Sequence, residues 1–238
     1  MKLEICIDSY DSLISAAVAG ADRVEICSDL GADGLTPSVG LVRLASQYPK
    51  LEKFVMIRPR PGHFTYDGLE IIQMKEEIMA FKEMDIDGFV FGVLDEYGRV
   101  DIETMKELCY LAYPKPVCLH RAFDYSVDGE EKVDELFRMG VVRILTSGKK
   151  PRAIEGVDMI RDLHEKYGDK VEIMAGSGVN FENLREIYEK TGIENFHMSA
   201  KSIYQTEIDY DNFGEKFPDY QYSSSGLIEA ARQELDKL

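Results

Sequence analysis

Residues Leu3-Glu4-Ile5-Cys6-Ile7-Asp8 alternate apolar and polar side chains. Ser9–Ala19 then takes up a helical spacing, and Gly20-Ala21-Asp22-Arg23-Val24-Glu25-Ile26-Cys27 leads back into a strand. Period-two alternation puts successive side chains on opposite faces of a strand, whereas a 3.6-residue repeat builds an amphipathic helix. A strand, a helix and a second strand in this order form a parallel pair, because parallel strands need a crossover connection. The unit recurs along the chain. After Leu3–Asp8 and Val24–Cys27, strands are predicted near Phe54–Arg58, Gly88–Gly92, Val117–His120, Arg143–Thr146, Val171–Ala175 and Asn195–Ser199. Further helices are predicted at Thr36–Gln47, Leu69–Met84, Ile102–Ala112, Glu130–Met139, Ala153–Tyr167, Asn183–Lys190 and Leu227–Leu238.

Eight strands alternating with eight helices in 238 residues point to an α/β chain closed as a single (β/α)8 TIM barrel, a fold of roughly 250 residues. A weak internal repeat agrees. The even strands share the lead-ins Gly20-Ala21-Asp22, Asp85-Ile86-Asp87, Gly140-Val141-Val142 and Gly192-Ile193-Glu194. In three of them a glycine stands where a helix needs a left-handed residue to stop. Residues 1–200 are expected to form the barrel core, and residues 201–238 a C-terminal extension whose last helix packs on it. The Tyr-, Asp- and Ser-rich stretch Lys201–Ser225 is expected to be an ordered extension or a contact within a homo-oligomer, a dimer or tetramer.

Composition excludes several classes. Apolar residues at 45% and charged residues at 30% are those of a globular chain, not a disordered or fibrous one. Acidic residues outnumber basic ones 44 to 28, and the net charge of -16 repels nucleic acid and anionic lipid, so neither is an expected partner. No apolar run approaches the ~20 residues that span a bilayer. Cys6, Cys27, Cys109 and Cys118 lie in apolar segments without CxxC spacing, as expected of a reduced, cytoplasmic protein.

In such barrels the C-terminal strand ends carry function. The fifth strand ends His120-Arg121-Ala122-Phe123-Asp124, an imidazole, a guanidinium and a carboxylate suited to bind an anion and exchange a proton with it. An Arg121–Asp124 pair that only orders the loop is the plainer alternative. Arg58-Pro59-Arg60-Pro61-Gly62 offers two arginines stiffened by prolines, a clamp for carboxylate or phosphate. Thr146-Ser147-Gly148 and Gly176-Ser177-Gly178 end strands six and seven with small residues that let backbone N–H groups approach an oxyanion, and His197 ends strand eight. No lysine is expected to point from a strand into the mouth. Glu4 with Cys6, and Glu25 with Cys27, lie two apart and face alike. Inward carboxylates need a partner, for which Arg58 is the natural candidate. The two cysteines fit either apolar filling or a soft ion such as copper(I).

These segments together resemble the CutC family. The resemblance is carried by LEICIDS (Leu3–Ser9), GADRVEIC (Gly20–Cys27), GLTPS (Gly34–Ser38), VMIRPR (Val55–Arg60) and FGVLDEYG (Phe91–Gly98). HRAFD (His120–Asp124), ILTSG (Ile144–Gly148), MAGSGV (Met174–Val179) and FHMSA (Phe196–Ala200) complete it. It implies a (β/α)8 barrel, a role in copper homeostasis, and copper(I) binding at the cysteines of the EIC-type motifs, here Cys6 and Cys27. One departure is Arg60-Pro61-Gly62-His63-Phe64, where the family usually has Arg-Gly-Gly-Asp-Phe.

Two functions from different classes follow. One is copper(I) handling through Cys6 and Cys27. The other is an enzyme acting on a small anionic metabolite by acid–base or metal-assisted chemistry. In that enzyme His120, Asp124 and Glu25 are catalytic, and Arg58, Arg60, Arg121, Ser147, Gly176, Ser177, Gly178 and His197 bind the ligand.

Overall fold

Eight parallel strands close into a barrel in chain order: β1 Lys2–Ile7, β2 Arg23–Ile26, β3 Glu52–Met56, β4 Gly88–Phe91, β5 Val117–Leu119, β6 Val141–Thr146, β7 Glu172–Ala175 and β8 Asn195–Met198. The structure is a computed structural model that describes residues 1–205 and 219–238. Around the barrel run α1 Tyr10–Val18, α2 Val39–Ala45, α3 Gly68–Lys82, α4 Ile102–Ala112, the short α5 Ala122–Tyr125, α6 Gly129–Arg138, α7 Val157–Tyr167, α8 Leu184–Thr191 and α9 Ser225–Leu235. The glycines expected to stop helices do so, with φ of +87° at Gly20, +103° at Gly140 and +71° at Gly192. No helix among the described residues is long and apolar enough to cross a membrane.

Local chemistry explains where elements start. Ser9 and Ser38 accept the N–H groups of Ser12 and Leu41 as N-caps, and Asp67 with Glu70 forms a capping box ahead of α3. Two expected helices are shorter than their periodicity. Pro37 disfavours helical backbone at Thr36, whose hydroxyl instead accepts the Arg58 N–H at 2.9 Å, so α2 waits for Ser38. The expected helix Ala153–Tyr167 begins as a 3-10 turn and breaks at Gly156. There the backbone packs on Gly148, whose Cα would lie 2.8 Å from a Cβ at residue 156.

The core has two layers. Leu3, Ile5, Ile7, Val24 and Ile26 face outward from their strands into the layer beneath the helices. The interior holds Cys27, Phe54, Met56, Val90, Cys118, Leu145 and Met174. It also holds charge. Register places Glu4 beside Arg23 and Cys6 beside Glu25 on neighbouring strands. Arg23 donates through Nε to Glu4, and through its terminal nitrogens to Glu52 and Asn195, each at 3.3 Å. Its guanidinium stands 5.6 Å from the Phe54 ring centroid, and that of Arg143 stands 4.7 Å away. The interior partner of Glu4 is therefore Arg23, not Arg58 as the sequence led us to expect.

The chain past the barrel forms an antiparallel ribbon of β9 Lys201–Tyr204 and β10 Tyr220–Ser223. Ser223 N–H donates to Ser12 Oγ of α1 at 3.0 Å, which ties the ribbon to the barrel wall. Residues 206–218 of the expected extension lie outside the described residues.

Candidate functional site

A cavity of about 300 Å³ opens at the C-terminal mouth of the barrel. Strand ends supply its walls: Cys6 from β1, Glu25 from β2, Arg58 past β3, His120 and Arg121 past β5, and His197 from β8. Ser177 and Gly178 of the loop after β7 complete the set of expected residues that reach it. Phe64, Tyr125, Val179, Met198 and Lys201 also line it and were not anticipated. Lys201 brings a lysine to the mouth without standing on any of the eight barrel strands. It enters from the ribbon just beyond β8, so only its position directly after the FHMSA segment could have revealed it.

At the floor, Cys6, Glu25 and His197 bring a sulfur, a carboxylate oxygen and a ring nitrogen within 4.8 Å of one another. All three residues are buried. His197 Nδ1 meets Glu4 Oε1 at 2.7 Å, so Nδ1–H donates to that carboxylate and Nε2 is left facing the other two donors. Nε2 is 3.9 Å from Glu25 Oε2. Burial opposes charge on His197, but Cys6, Glu25 and Glu4 outweigh it and raise its pKa well above the usual histidine value. Burial alone would raise Glu4; Arg23 and His197 reverse that and hold it well below the carboxylate range. Glu25 is raised, by burial above all and by Glu4, against the pull of His197. Its Oε1 is buried without a hydrogen-bond partner.

Cys27 stands outside this group. Its thiol approaches Glu25 Oε2 at 3.5 Å and is roofed by Gly34, where a Cβ would come 3.1 Å from the sulfur. Burial and the Glu25 carboxylate push its pKa well above the usual thiol value.

His120 forms the opposite wall. Its Nδ1 accepts the Ala122 N–H at 3.2 Å, which places the ring proton on Nε2. That nitrogen is buried with no partner. Burial, then the nearby Arg58 charge, lowers the pKa of His120 to about 3, so the ring is a neutral N–H donor at physiological pH.

Five expected site residues are held by partners outside the donor group. Arg60 does not reach the cavity; it pairs with Glu70 at 2.5 Å and lies 5.2 Å from the Tyr66 ring centroid. Arg58 lines the cavity but is not a free clamp, since its terminal nitrogens donate to the carbonyls of Ala32, Asp33, Gly34 and Gly62. Asp124 accepts from Thr146 Oγ1 at 2.5 Å, Ser147 N–H at 3.0 Å and Arg121 Nε at 2.9 Å. These bonds tie the loop after β5 to the end of β6. Ser147 is held between Asp124 and the Lys150 carbonyl, and Gly176 packs on Leu145.

A (β/α)8 barrel with a buried thiol, imidazole and carboxylate below an open mouth is the class these features define. The chain belongs to the CutC family, whose model matches residues 1–202. The human copper homeostasis protein cutC homolog is 40% identical over 210 residues, which are 88% of this chain and 77% of the human one. The structure of a CutC protein of Streptococcus agalactiae superposes with a TM-score of 0.80 at 33% identity, covering 84% of this chain and 98% of that one. Thiamine phosphate pyrophosphorylase of Pyrococcus furiosus superposes with a TM-score of 0.61 at 16% identity over 99% of this chain and 96% of its own, a likeness of fold alone.

Proposed function

We propose that this CutC-family barrel handles metal and takes copper(I) at Cys6 and His197, with Glu25 as third donor. The Glu4–His197 contact of 2.7 Å carries the reading. A carboxylate behind a ligating histidine fixes its tautomer and ring orientation, as in known metal centres. Thiolate and imidazole suit copper(I), and the copper homeostasis name of the human relative favours that ion over zinc. The donors fit a metal in number and kind, and the cavity above them gives an ion a route in. A reducing cytoplasm would keep the Cys6 thiol available.

Titration with copper(I) against a chromophoric chelator, under reducing conditions, tests the proposal. One equivalent is expected in the parent and in Cys27→Ser, and weakened binding in Cys6→Ser and His197→Ala. Equal affinity in the parent and in the last two variants overturns it. So does loss confined to Cys27→Ser.

A further inference from the structure

The cavity above the metal donors has a second wall with a different chemistry. Arg121 past β5, the loop after β7 and Lys201 past β8 all line this cavity, along the half of the mouth that runs from β5 to β8. Arg121 Nε is engaged by Asp124 and one terminal nitrogen by Ser147 Oγ at 3.2 Å, which orients the guanidinium while its other terminal nitrogen stays unengaged among the described residues. Lys201 is exposed and forms no ion pair among the described residues. Ser177 and Gly178 both adopt positive φ, +77° and +70°. Among the described residues no acceptor takes the N–H of Ser177, Gly178 or Val179. Successive unpaired N–H groups and two cations lining one cavity match a tetrahedral oxyanion in number and charge.

An independent observation points to a ligand. His120 is 4% exposed, lines the same cavity, and its Nε2–H has no partner. A buried donor is costly unless something accepts from it. We propose that the cavity binds a phosphate monoester. Its phosphate is held by the Ser177-Gly178-Val179 main chain, Arg121 and Lys201, and an oxygen at its other end accepts from His120. The volume of about 300 Å³ lies at the lower limit of small-molecule sites and restricts the ester to a few carbons. Net charge does not draw the anion in, because the protein carries -16 overall. The local donors alone must hold it. The site does not depend on copper.

Isothermal titration in metal-free buffer with chelator, at constant ionic strength, tests this with inorganic phosphate, glycerol 3-phosphate, glycerol and succinate. Both phosphates are expected to bind, the ester more tightly, with glycerol silent and succinate roughly tenfold weaker. Lys201→Glu should weaken both phosphates about tenfold or more, whereas Lys237→Glu, at the C-terminus, should not. His120→Phe should reduce the ester to the affinity of inorganic phosphate, with circular dichroism confirming the fold. Equal binding by parent and Lys201→Glu, or succinate binding as tightly as phosphate, overturns the proposal. Either result leaves the copper titration untouched.

Discussion

Gly92, directly after β4, lies so near His120 that a Cβ built on it would stand 2.9 Å from the imidazole Nδ1. The same atom would meet the Ala122 Cβ at 2.9 Å and Leu119 Cδ1 at 2.6 Å. His120 holds its place in the mouth only because residue 92 has no side chain. Gly92→Ala is expected to cost ~1–3 kcal/mol, the usual range for overpacking a dense core. It should also shift the His120 ring resonances. Urea denaturation and an imidazole NMR spectrum read both effects, and a variant as stable as the parent would contradict the packing.

The pH dependence of stability carries a His120 contribution whose sign follows from its environment. Burial and Arg58 lower its pKa to about 3 in the folded chain, against about 6.5 when unfolded. Between those values the unfolded chain binds the proton and the folded chain does not. The contribution is therefore complete above about pH 6.5 and is lost as pH falls toward 3. At pH 5 the loss is about 2 kcal/mol. Denaturation of parent and His120→Phe from pH 7.5 to 5 isolates it, since other groups titrate alike in both. Parallel curves would show that the ring is not held neutral.

Arg58 and Arg60 separate cleanly in a mutational comparison. Arg58 is 3% exposed and ties four backbone carbonyls together. Arg58→Ala leaves those acceptors without their donor, and a loss of about 2–4 kcal/mol is expected from bonds to a charged group. Arg60→Ala removes a partly exposed pair with Glu70, worth about 1 kcal/mol or less. Equal melting temperatures for the two variants would reject this division of labour.

The barrel was legible because its signal is local. All eight strands and their helices stand where hydrophobic period placed them, to within a few residues at the ends. The four-residue α5 is too short to show a period, and β9 and β10 lie on exposed backbone with no apolar face to mark them. The site was legible in its residue types and less so in its pairings. That Cys6 and Cys27 both face inward follows from alternation, but the register that sets Cys6 opposite Glu25 does not. The same holds for Arg23, read as part of a lead-in turn, which the first two strands bring against Glu4. Spacing could not say which arginine of Arg58-Pro59-Arg60 turns inward, because both prolines stiffen the segment equally.

Chemical labelling should single out one of the four cysteines. Thiolate is the reactive form, so a thiol whose pKa is raised by apolar burial is slow. Burial pushes Cys109 up to about 12, and burial above all raises Cys118 further. Cys27 is fully buried beneath Gly34. Cys6, 7% exposed, alone among them lines the cavity. Iodoacetamide near neutral pH, with sites assigned by peptide mass spectrometry, should modify Cys6 in the native protein and the other three only after denaturant is added. Prior addition of copper(I) should protect Cys6 if the metal sits there. Native labelling of Cys109 at the rate of Cys6 would refute the ordering, and a Cys6 that labels no faster with the chain folded than the buried thiols would mean that the cavity does not admit small molecules to its floor.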